Sequence, residues 1–307
     1  MKAFITGYTG FLGQHLMRML KGEYTVGLRR DVLGAGVSEN PTVMVQGHLA
    51  DAKRIERILS QYEIDTVFHL AAQTDVRIAH AEPLSTWESN VRGTWNLLEA
   101  CRRQGVKRII VASTDKAYGW TPPPYRETDA VRASGMYETS KTLADLCAQS
   151  YEKTYGMNVA ITRCGNFYGP GRINWATLIP GTIKSIIERQ KPVLRTDGSF
   201  RRDFMHVEDG ARAYLMLATA TPPPHGAFNF GTGTPMRVID VVQDICAEMD
   251  WEGGITIIPT EKGEIVDQYL DTTRAQRELG WEPRIDWKKG LRDTILWYRN
   301  FLSATCD

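Results

Sequence analysis

The chain of 307 residues contains 42% hydrophobic and 24% charged residues and carries a formal net charge of +1. Its length allows a large hydrophobic core, and its scattered basic residues exclude the electrostatic footprint of a nucleic-acid or anionic-membrane partner. Five cysteines without CxxC spacing favour reduced thiols, so the sequence predicts no metal site and a cytoplasmic location. No apolar stretch is long enough to span a bilayer, and the first apolar run lacks the pattern of a signal peptide.

Short apolar runs alternate with helical patterns in the first half of the chain, which indicates βαβ units. The predicted strands are Lys2–Thr6, Tyr24–Leu28, Thr42–Val45, Thr66–Leu70, Arg108–Ala112 and Asn158–Thr162. The predicted helices are Phe11–Leu20, Ala52–Leu59, Ser85–Arg103 and Tyr137–Tyr155. The fold class is therefore α/β, with a Rossmann-type doubly wound parallel sheet.

The pattern changes after Gly165. Further predicted elements are helices at Ala176–Arg189, Glu208–Ala220, Arg237–Met249, Thr273–Leu279 and Leu291–Phe301, with extended segments at Arg201–His206 and Ala227–Phe230. We expect a Rossmann domain made of residues 1–165 plus about 202–232. Residues 166–201 plus 233–307 are expected to form a smaller, mostly C-terminal substrate-binding lobe.

The first strand leads into Gly7-Tyr8-Thr9-Gly10-Phe11-Leu12-Gly13 and then into a helix, which gives the spacing GxxGxxG. Glycines let backbone N–H groups approach a pyrophosphate whose charge lies at a helix N-terminus. The motif predicts a dinucleotide site at Gly7, Gly10, Phe11, Leu12 and Gly13, and the alternative is a glycine-rich turn without a ligand.

The residues at the end of the second strand decide whether NAD or NADP is bound. A carboxylate there binds the 2′-hydroxyl of NAD, whereas arginine accommodates the 2′-phosphate of NADP. The chain has Arg29 and Arg30 at this position, followed by Asp31, so the residues slightly favour NADP but leave NAD open. The alternative is two solvated arginines at the end of a strand.

Residues after the third and fourth strands also fit a dinucleotide. His48 and Leu49 are expected to line the adenine. The nicotinamide ribose needs small residues where the backbone passes close to it, and the expected contacts are Leu70, Ala71, Ala72 and Gln73.

Tyr137 and Lys141 stand four residues apart, on one face of a predicted helix that follows a long loop. A lysine beside a phenol lowers the pKa of the phenol and prepares it to accept a proton from a sugar hydroxyl. Such a pair is a surface feature in many proteins. Here it lies downstream of the glycine motif and of Ser113-Thr114.

These three features together resemble the extended short-chain dehydrogenase/reductase family that acts on sugar nucleotides. The resemblance continues in four further segments, Asn90–Thr94, Arg163–Asn166, Arg202–Phe204 and Leu279–Trp281. The residues after the fifth strand, Ser113-Thr114-Asp115-Lys116-Ala117-Tyr118-Gly119, are most similar to those of CDP-glucose 4,6-dehydratases. The resemblance implies that Ser113, Tyr137 and Lys141 contact the cofactor.

The resemblance also implies a reaction mechanism. Tyr137 takes the O4 proton while hydride passes from C4 to the nicotinamide, Thr114 shares the hydrogen bond to O4, and Lys141 holds the cofactor ribose. Asp115 then protonates the departing C6 hydroxyl, and Lys116 removes or shuttles the C5 proton. Hydride returns to C6, so the tightly held NAD or NADP is regenerated. Asp115 must be buried to remain protonated, and Lys116 must be desolvated to act as a base. The alternative is an ionised surface pair.

For the substrate, Arg202 resembles the family's phosphate-binding arginine, and Asn166 the residue that reaches the sugar or its phosphate. Asn174 belongs to a segment that is also similar to the dehydratases. A salt bridge with a neighbouring acid is the alternative for Arg202. Many sugar-nucleotide dehydratases have a second arginine where this chain has residues 263–269, and its absence leaves the nucleotide base open.

The resemblance favours an NDP-hexose 4,6-dehydratase, with CDP-glucose as the first substrate to consider. A C4 epimerase and an NADPH-dependent 4-keto-6-deoxy sugar reductase are alternatives, but neither expels a C6 hydroxyl and so neither needs the pair Asp115–Lys116. A non-catalytic nucleotide sensor is a remote alternative. The helices Ser85–Arg103 and Tyr137–Tyr155 are expected to pair in an isologous homodimer.

Overall fold

The computed structural model describes residues 1–30, 39–259 and 265–304. Asp31, Gly263 and Glu264, which entered the sequence argument, lie outside these ranges. The strands are β1 Lys2–Thr6, β2 Tyr24–Arg29, β3 Val43–Gln46, β4 Thr66–His69, β5 Arg108–Ala112, β6 Val159–Cys164, β7 Asn166–Tyr168, β8 Val193–Leu194, β9 Arg201–Arg202, β10 Phe204–His206, β11 Gly226–Phe230, β12 Met236–Arg237, β13 Thr256–Ile257 and β14 Asp267–Gln268.

The helices are α1 Phe11–Met19, α2 Ala52–Gln61, α3 Val76–Ala81, α4 Pro83–Trp87, α5 Gly93–Gln104, α6 Met136–Tyr155, α7 Leu178–Ile187, α8 Val207–Thr219, α9 Val238–Glu248, α10 Thr273–Leu279 and α11 Trp287–Ser303. A π-helical turn occupies Glu88–Arg92 and a 3₁₀ turn occupies Asp115–Tyr118. Within the described residues, no helix is both long and apolar enough to cross a membrane.

Seven strands form the main sheet in the order β11-β6-β5-β4-β1-β2-β3, and all of their pairings are parallel. The chain runs outward from β1 through β2 to β3, then returns to β4 and runs the other way through β5 to β6. The strand order therefore reverses between β1 and β4, where open α/β sheets bind their ligands beyond the carboxyl ends of the strands. The predicted doubly wound sheet is confirmed.

The sheet is buried on both faces because alternate residues of each strand enter different cores. Ile5 of β1 packs in one cluster with α1, α8 and Trp281, which is fully buried. The neighbouring residue Phe4 packs in a second cluster with α2, α5 and α6, where Leu97 is also fully buried. The near-continuous apolar runs of the sequence are the direct consequence of this double coverage.

A third apolar cluster gathers side chains of α7, α9 and α11, among them Ile183, Ile245 and Leu291, all fully buried. The cluster contains residues from positions 168 to 298 and none from the seven strands of the main sheet. The domain boundaries given above stay a prediction, as does the homodimer.

The structure differs from the predicted helix Ser85–Arg103, which is divided into α4, the π-helical turn and α5. The amide of Gly93 bonds to the carbonyl of Glu88, five residues earlier, so one extra residue is accommodated in the turn. Asn90 lies inside it and is 1% exposed. An apolar periodicity cannot reveal such a local insertion, because the faces before and after it are both helical.

A buried ion pair joins α6 to β6. Asp145 is 0% exposed and Arg163 2% exposed, and the guanidinium donates from Nε at 2.9 Å and from Nη2 at 3.0 Å to the two carboxylate oxygens. Arg163 also donates from Nη1 to the hydroxyl of Tyr118 at 3.0 Å. Both charges are thus satisfied, which is the condition for keeping them inside a protein.

Replacing Asp145 by alanine should leave the Arg163 guanidinium buried without its counter-charge. We expect Asp145→Ala to lower the free energy of unfolding by about 3 to 5 kcal/mol, as for other broken buried pairs. Urea unfolding followed by circular dichroism measures the change. The matched control is Asp293→Ala, which removes a 52% exposed partner of Lys289 and should cost about 0 to 1 kcal/mol. Equal losses for the two variants would contradict the argument.

Candidate active site

The glycine-rich turn lies between β1 and α1, at the point where the strand order reverses. Gly7 has a φ of +75°, and a Cβ atom there would lie 2.7 Å from the backbone nitrogen of Ala71. A Cβ on Gly13 would lie 2.3 Å from the carbonyl oxygen of Gly7. Side chains at these positions would collide with the backbone of the turn and of Ala71, so the close packing of the turn requires glycine. The N-terminus of α1 has no side-chain cap, and a helix N-terminus of this kind attracts an anion such as a pyrophosphate. The turn fits a dinucleotide. Phe11 and Leu12 form the first turn of α1.

The end of β4 is fixed beside this turn by a buried histidine. The ring of His69 hydrogen-bonds to the hydroxyls of Thr6 at 2.8 Å and Thr94 at 2.9 Å. Burial, with a smaller effect of the Lys141 charge, lowers the pKa of His69 to about 3. The ring therefore stays neutral and links two strand ends and α5. Thr6 also accepts the amide of Ala71 at 3.2 Å. Sequence reasoning missed His69, although it stands directly before the predicted cofactor segment.

Asn90 extends this arrangement toward the chemical residues. Its side chain accepts the amide of Gln73 at 2.7 Å and donates to the carbonyl of Gln73 and to the hydroxyl of Ser140, both at 2.9 Å. Ser140 in turn donates to the carbonyl of Tyr137 at 2.7 Å. The segment Leu70–Gln73 and the first turn of α6 are thus held together. Asn90 was quoted for the resemblance but was not predicted as a site residue.

At the ribose end, Arg29 is the last residue of β2 and is partly buried, while Arg30 is exposed. His48 follows β3, and its Nδ1 accepts the amide of Ala50 at 3.0 Å. The side chain of Leu49 is 7% exposed and packs in the core beneath the helices. Only the backbone of Leu49 is therefore placed to line an adenine.

Tyr137 and Lys141 lie in the first turns of α6, as predicted, but their environment differs from the expectation. The ammonium of Lys141 donates to the carbonyl of Ala112 at 2.5 Å. Burial lowers the pKa of Lys141 to about 8. The pKa of Tyr137 is raised, not lowered as predicted, because burial, then Asp115, then Glu138 disfavour the phenolate, while a hydrogen bond with Thr114 acts in the opposite direction.

Thr114 and Asp115 form the turn after β5. Thr114 accepts the amide of Lys116 at 3.3 Å and donates to Oδ1 of Asp115 at 3.2 Å. Asp115 is 3% exposed, and its Oδ2 is buried without a hydrogen-bond partner in the described part of the chain. Burial raises the pKa of Asp115 to about 6, against the opposing effect of Lys116. The carboxyl therefore has the environment predicted for an acid.

Lys116 does not have the desolvated environment predicted for a base. Its side chain is 31% exposed, and its Nζ lies 3.8 Å from Oε1 of Glu138, which is 17% exposed. Among the described residues, Asp115 and Lys116 form no salt bridge with each other. Lys116 therefore belongs to a half-exposed pair with Glu138, and not to the surface pair considered as an alternative.

Ser113 hydrogen-bonds to the buried ion pair of Asp145 and Arg163. Its hydroxyl donates to Oδ2 of Asp145 at 2.7 Å. Burial opposes ionisation of this carboxyl, but the hydrogen bonds and charge of Arg163 hold the pKa of Asp145 below its usual value. The structure gives Ser113 this role in addition to its position at the end of β5. Its contact with the cofactor stays a prediction.

Besides Thr114, the predicted substrate residues come from three separate segments. Asn166 in β7 donates its backbone N–H to the carbonyl of Asp203 at 2.7 Å. The nitrogen of its side-chain amide is buried with no hydrogen-bond partner among the residues described. Arg202 in β9 donates to the carbonyl of Val266 at 2.9 Å. The charge of Arg202 lowers the pKa of Asp115, so β9 approaches the turn after β5.

Asn174 has a local role at the start of α7, since its side-chain oxygen accepts the amide of Ala176 at 3.1 Å. The nearby Arg172 was missed by sequence reasoning. It donates from Nη1 to the carbonyl of Phe167 at 2.8 Å, and its charge lowers the pKa of Tyr137. Burial lowers the pKa of Arg172. Nothing in its sequence context distinguished it from other arginines.

The comparisons agree with this geometry. The family model described as "NAD dependent epimerase/dehydratase family" matches residues 3–231. The chain belongs to this family. It is 30% identical to the dTDP-glucose 4,6-dehydratase of Salmonella typhimurium over 97% of this chain and 92% of that protein. It also matches a trifunctional UDP-glucose 4,6-dehydratase/3,5-epimerase/reductase of Arabidopsis thaliana at 32% identity over 96% of the chain, but spans only 46% of that protein.

Two solved structures show the same fold. The UDP-glucose 4-epimerase of Thermotoga maritima, determined with UDP-glucose, superposes with a TM-score of 0.92 at 28% identity, covering 98% of this chain and 100% of that one. The dTDP-glucose 4,6-dehydratase DesIV of Streptomyces venezuelae, with NAD bound, has a TM-score of 0.89 at 28% identity, covering 99% and 98%. The chain is thus an enzyme of this family with a nicotinamide dinucleotide, NAD(P), as cofactor.

The raised pKa of Asp115 predicts a pH-dependent stability. The native state holds this proton up to about pH 6, whereas the unfolded state loses it near 3.8, so the contribution is present below 3.8 and is lost as the pH rises through 6. At pH 8 the ionised carboxylate costs about 3 kcal/mol. We expect Asp115→Asn to raise the free energy of unfolding by about that amount at pH 8 and to leave it unchanged below about pH 4.

Urea titrations across this pH range measure the difference between variant and native chain. Asp293→Asn, on an exposed face of α11, is the matched control and should show no such dependence. A gain of stability for Asp115→Asn that is equal at both pH values would show that burial does not raise this pKa.

Proposed function

We propose that the chain is an NDP-hexose 4,6-dehydratase, which converts a hexose sugar nucleotide into its 4-keto-6-deoxy form. The observation that supports this most directly is the buried carboxyl of Asp115, whose pKa is raised to about 6 beside Tyr137. Expulsion of a C6 hydroxyl needs a proton donor, and a carboxylic acid that holds its proton close to neutrality supplies one. A C4 epimerase or a ketoreductase expels no group from C6 and needs no such acid.

The residues would act in sequence. Tyr137 accepts the proton of the sugar O4, and Thr114 shares the hydrogen bond to the same oxygen by turning its hydroxyl proton from Asp115 toward the substrate. When bound, the nicotinamide would supply the acceptor for hydride from C4 and the donor of hydride to C6. The C5 hydrogen becomes acidic next to the new ketone, and Lys116 takes it while Asp115 protonates the departing hydroxyl, which leaves as water. Lys116 would return this proton to C5 as hydride reaches C6, and the O4 proton held by Tyr137 would replace the one that Asp115 gave up. Lys141 orients the cofactor ribose.

Arg202 and Asn166 would bind the diphosphate and the sugar. Guanidinium groups bind phosphate oxygens in a bidentate manner. The buried, unsatisfied amide nitrogen of Asn166 offers a donor to a ligand oxygen. CDP-glucose is the first substrate to test, because the turn Ser113–Gly119 is most similar to that of CDP-glucose dehydratases. The relatives named for dTDP- and UDP-glucose make those nucleotides the next candidates.

A C4 epimerase is the second candidate, and the exposure of Lys116 favours it. An epimerase needs no base at C5, so a lysine that is 31% exposed and paired with Glu138 would be unremarkable there. The fold similarity to a UDP-glucose 4-epimerase, with a TM-score of 0.92, is also compatible with this reading.

The two candidates differ in the mass of the product. The purified chain should convert one member of a panel of CDP-, dTDP-, UDP- and GDP-hexoses into a product lighter by one water, without consuming added cofactor. Mass spectrometry identifies it. A product of unchanged mass indicates an epimerase, and a stoichiometric need for NADPH with a keto sugar indicates a reductase. Either result would overturn the proposal.

Side-chain variants test the assignment of the acid and the base. Asp115→Asn and Lys116→Ala should each slow water loss by about 100-fold or more, the contribution typical of a positioned general acid or base. Their binding of NAD(P) should be unchanged. Lys107→Ala is the matched control, because this exposed lysine precedes β5 at the opposite end of the strand. Native turnover in either variant would contradict its role.

A further inference from the structure

The 3₁₀ turn that begins at Asp115 is held at both of its ends by the buried ion pair of Asp145 and Arg163. Before the turn, the hydroxyl of Ser113 donates to Oδ2 of Asp145 at 2.7 Å. At the last residue of the turn, the hydroxyl of Tyr118 accepts a hydrogen bond from Nη1 of Arg163 at 3.0 Å. We propose that Tyr118 is a positioning residue that holds the carboxyl of Asp115 in place for water loss, an inference that rests on the proposed function.

Tyr118 has no exposed surface, and its hydroxyl both donates and accepts inside the protein. It donates to Oδ1 of Asn229 in β11 at 2.7 Å while it accepts from Arg163. The ring stacks on that of Tyr125, with 4.9 Å between the two centroids, and the guanidinium carbon of Arg163 lies 4.8 Å from its centroid. Asn229 also donates to the carbonyl of Tyr125 at 2.8 Å. Polar networks whose members are satisfied are rigid, so the end of the turn is fixed.

The same ion pair links the turn to the helix of the proposed proton acceptor. Tyr137, Lys141 and Asp145 recur at every fourth position of α6 and so lie along one face of that helix. Arg163 belongs to β6, which pairs with β5 ahead of the turn. After burial, the charge of Asp115 has the largest effect on the pKa of Tyr137 and raises it, as expected for neighbouring side chains. The contacts of the ion pair thus fix the position of the acid relative to the phenol.

The carboxyl of Asp115 depends on the backbone of the turn for its position. Its Oδ1 accepts the hydroxyl of Thr114 at 3.2 Å, and its Oδ2 is buried without a hydrogen-bond partner in the described part of the chain. Among the residues described, Lys116 pairs with Glu138 and not with Asp115. A carboxyl with so few contacts of its own moves with its backbone, and the end of this backbone turn is fixed by Tyr118.

Several elements contribute groups that face Asp115. Burial has the largest effect on the pKa of Asp115 and raises it, and the groups that act on it in addition, in decreasing order, are Lys116, Thr114, Asp203 and Arg202. Burial also raises the pKa values of three neighbouring groups, and the charge of Asp115 adds to this for Tyr125, Tyr137 and Cys164. Because burial dominates, a turn that moves and admits water lowers the pKa of Asp115 toward its ordinary value. Tyr118 therefore influences the acid through the position of the turn.

A substitution that removes only the hydroxyl tests this role. Tyr118→Phe keeps the ring and its stacking and removes the hydrogen bonds to Asn229 and Arg163. The pKa of Asp115 is measured without substrate, from the pH dependence of the difference in unfolding free energy between each chain and its Asp115→Asn derivative in urea. We expect Tyr118→Phe to lower the pKa of Asp115 by about one unit or more, since water reaches a loosened turn. The stability gained through Asp115→Asn at pH 8 then becomes smaller than in the native chain.

Tyr298→Phe is the matched control, because it removes a buried hydroxyl of α11 that donates to the carbonyl of Arg172. It should lower the free energy of unfolding and leave the pKa of Asp115 unchanged. Ser113→Ala loosens the opposite end of the turn and should lower this pKa as well, so the test does not depend on the folding of Tyr118→Phe. A loss of stability in Tyr118→Phe and Ser113→Ala with an unchanged pKa of Asp115 would overturn the proposal.

Turnover gives an independent readout. In Tyr118→Phe we expect water loss to be slower by about tenfold or more at an unchanged KM for the sugar nucleotide, since a misplaced acid affects the transition state and not binding. The alkaline limb of the pH–rate profile, which follows loss of the Asp115 proton, should move to lower pH. A raised KM at native kcat would overturn the proposal. Absence of water loss in the native chain would contradict the proposed function alone, and the pKa of Asp115 would still decide the role of Tyr118.

Discussion

Burial of the Asp115 carboxyl at the end of β5 is the interaction that organises the candidate site. The same burial that favours its protonated form brings it close to Tyr137, and its charge raises the pKa of that phenol. Two acids so placed do not ionise independently, and their protons leave in steps that belong to the pair. While Asp115 keeps its proton, Tyr137 can give up its own at lower cost. The arrangement thus favours the order in which a phenol acts first and a carboxylic acid second.

Much of the fold could be predicted because its signals are local. A strand buried on both faces is a continuous apolar run, and Lys2–Thr6 shows one directly before a glycine motif. The parallel arrangement then determines that the residues following β1, β4 and β5 meet at one edge. The segment Leu70–Gln73 was predicted in this way because it follows a predicted strand, whereas the roles of Thr114 and Tyr137 were predicted from the spacing to Lys141 and from the resemblance to the family.

The environment of each side chain could not be predicted, because burial depends on contacts between distant segments. The spacing of Tyr137 and Lys141 places them on one helix face but does not show that the ammonium is bound to the carbonyl of Ala112. His69 links Thr6 to Thr94, partners that are 63 and 25 residues away. The predicted direction of the pKa shift of Tyr137 was wrong for this reason. Burial has the largest effect on this phenol, and the charges that act on it are those of Asp115, Glu138 and Arg172.

Lys116 and Glu138 show how the proposed reaction would depend on the substrate itself. A base must be neutral, whereas the side chain of Lys116 is 31% exposed and its Nζ lies 3.8 Å from a carboxylate oxygen of Glu138. A sugar nucleotide lying over the pair would remove the water that reaches it. Removal of solvent disfavours two charges relative to a neutral amine and a carboxylic acid, since ions lose more solvation than neutral groups. Binding of the sugar and activation of the base would therefore be a single event, which explains how a half-exposed lysine is compatible with abstraction of the C5 proton.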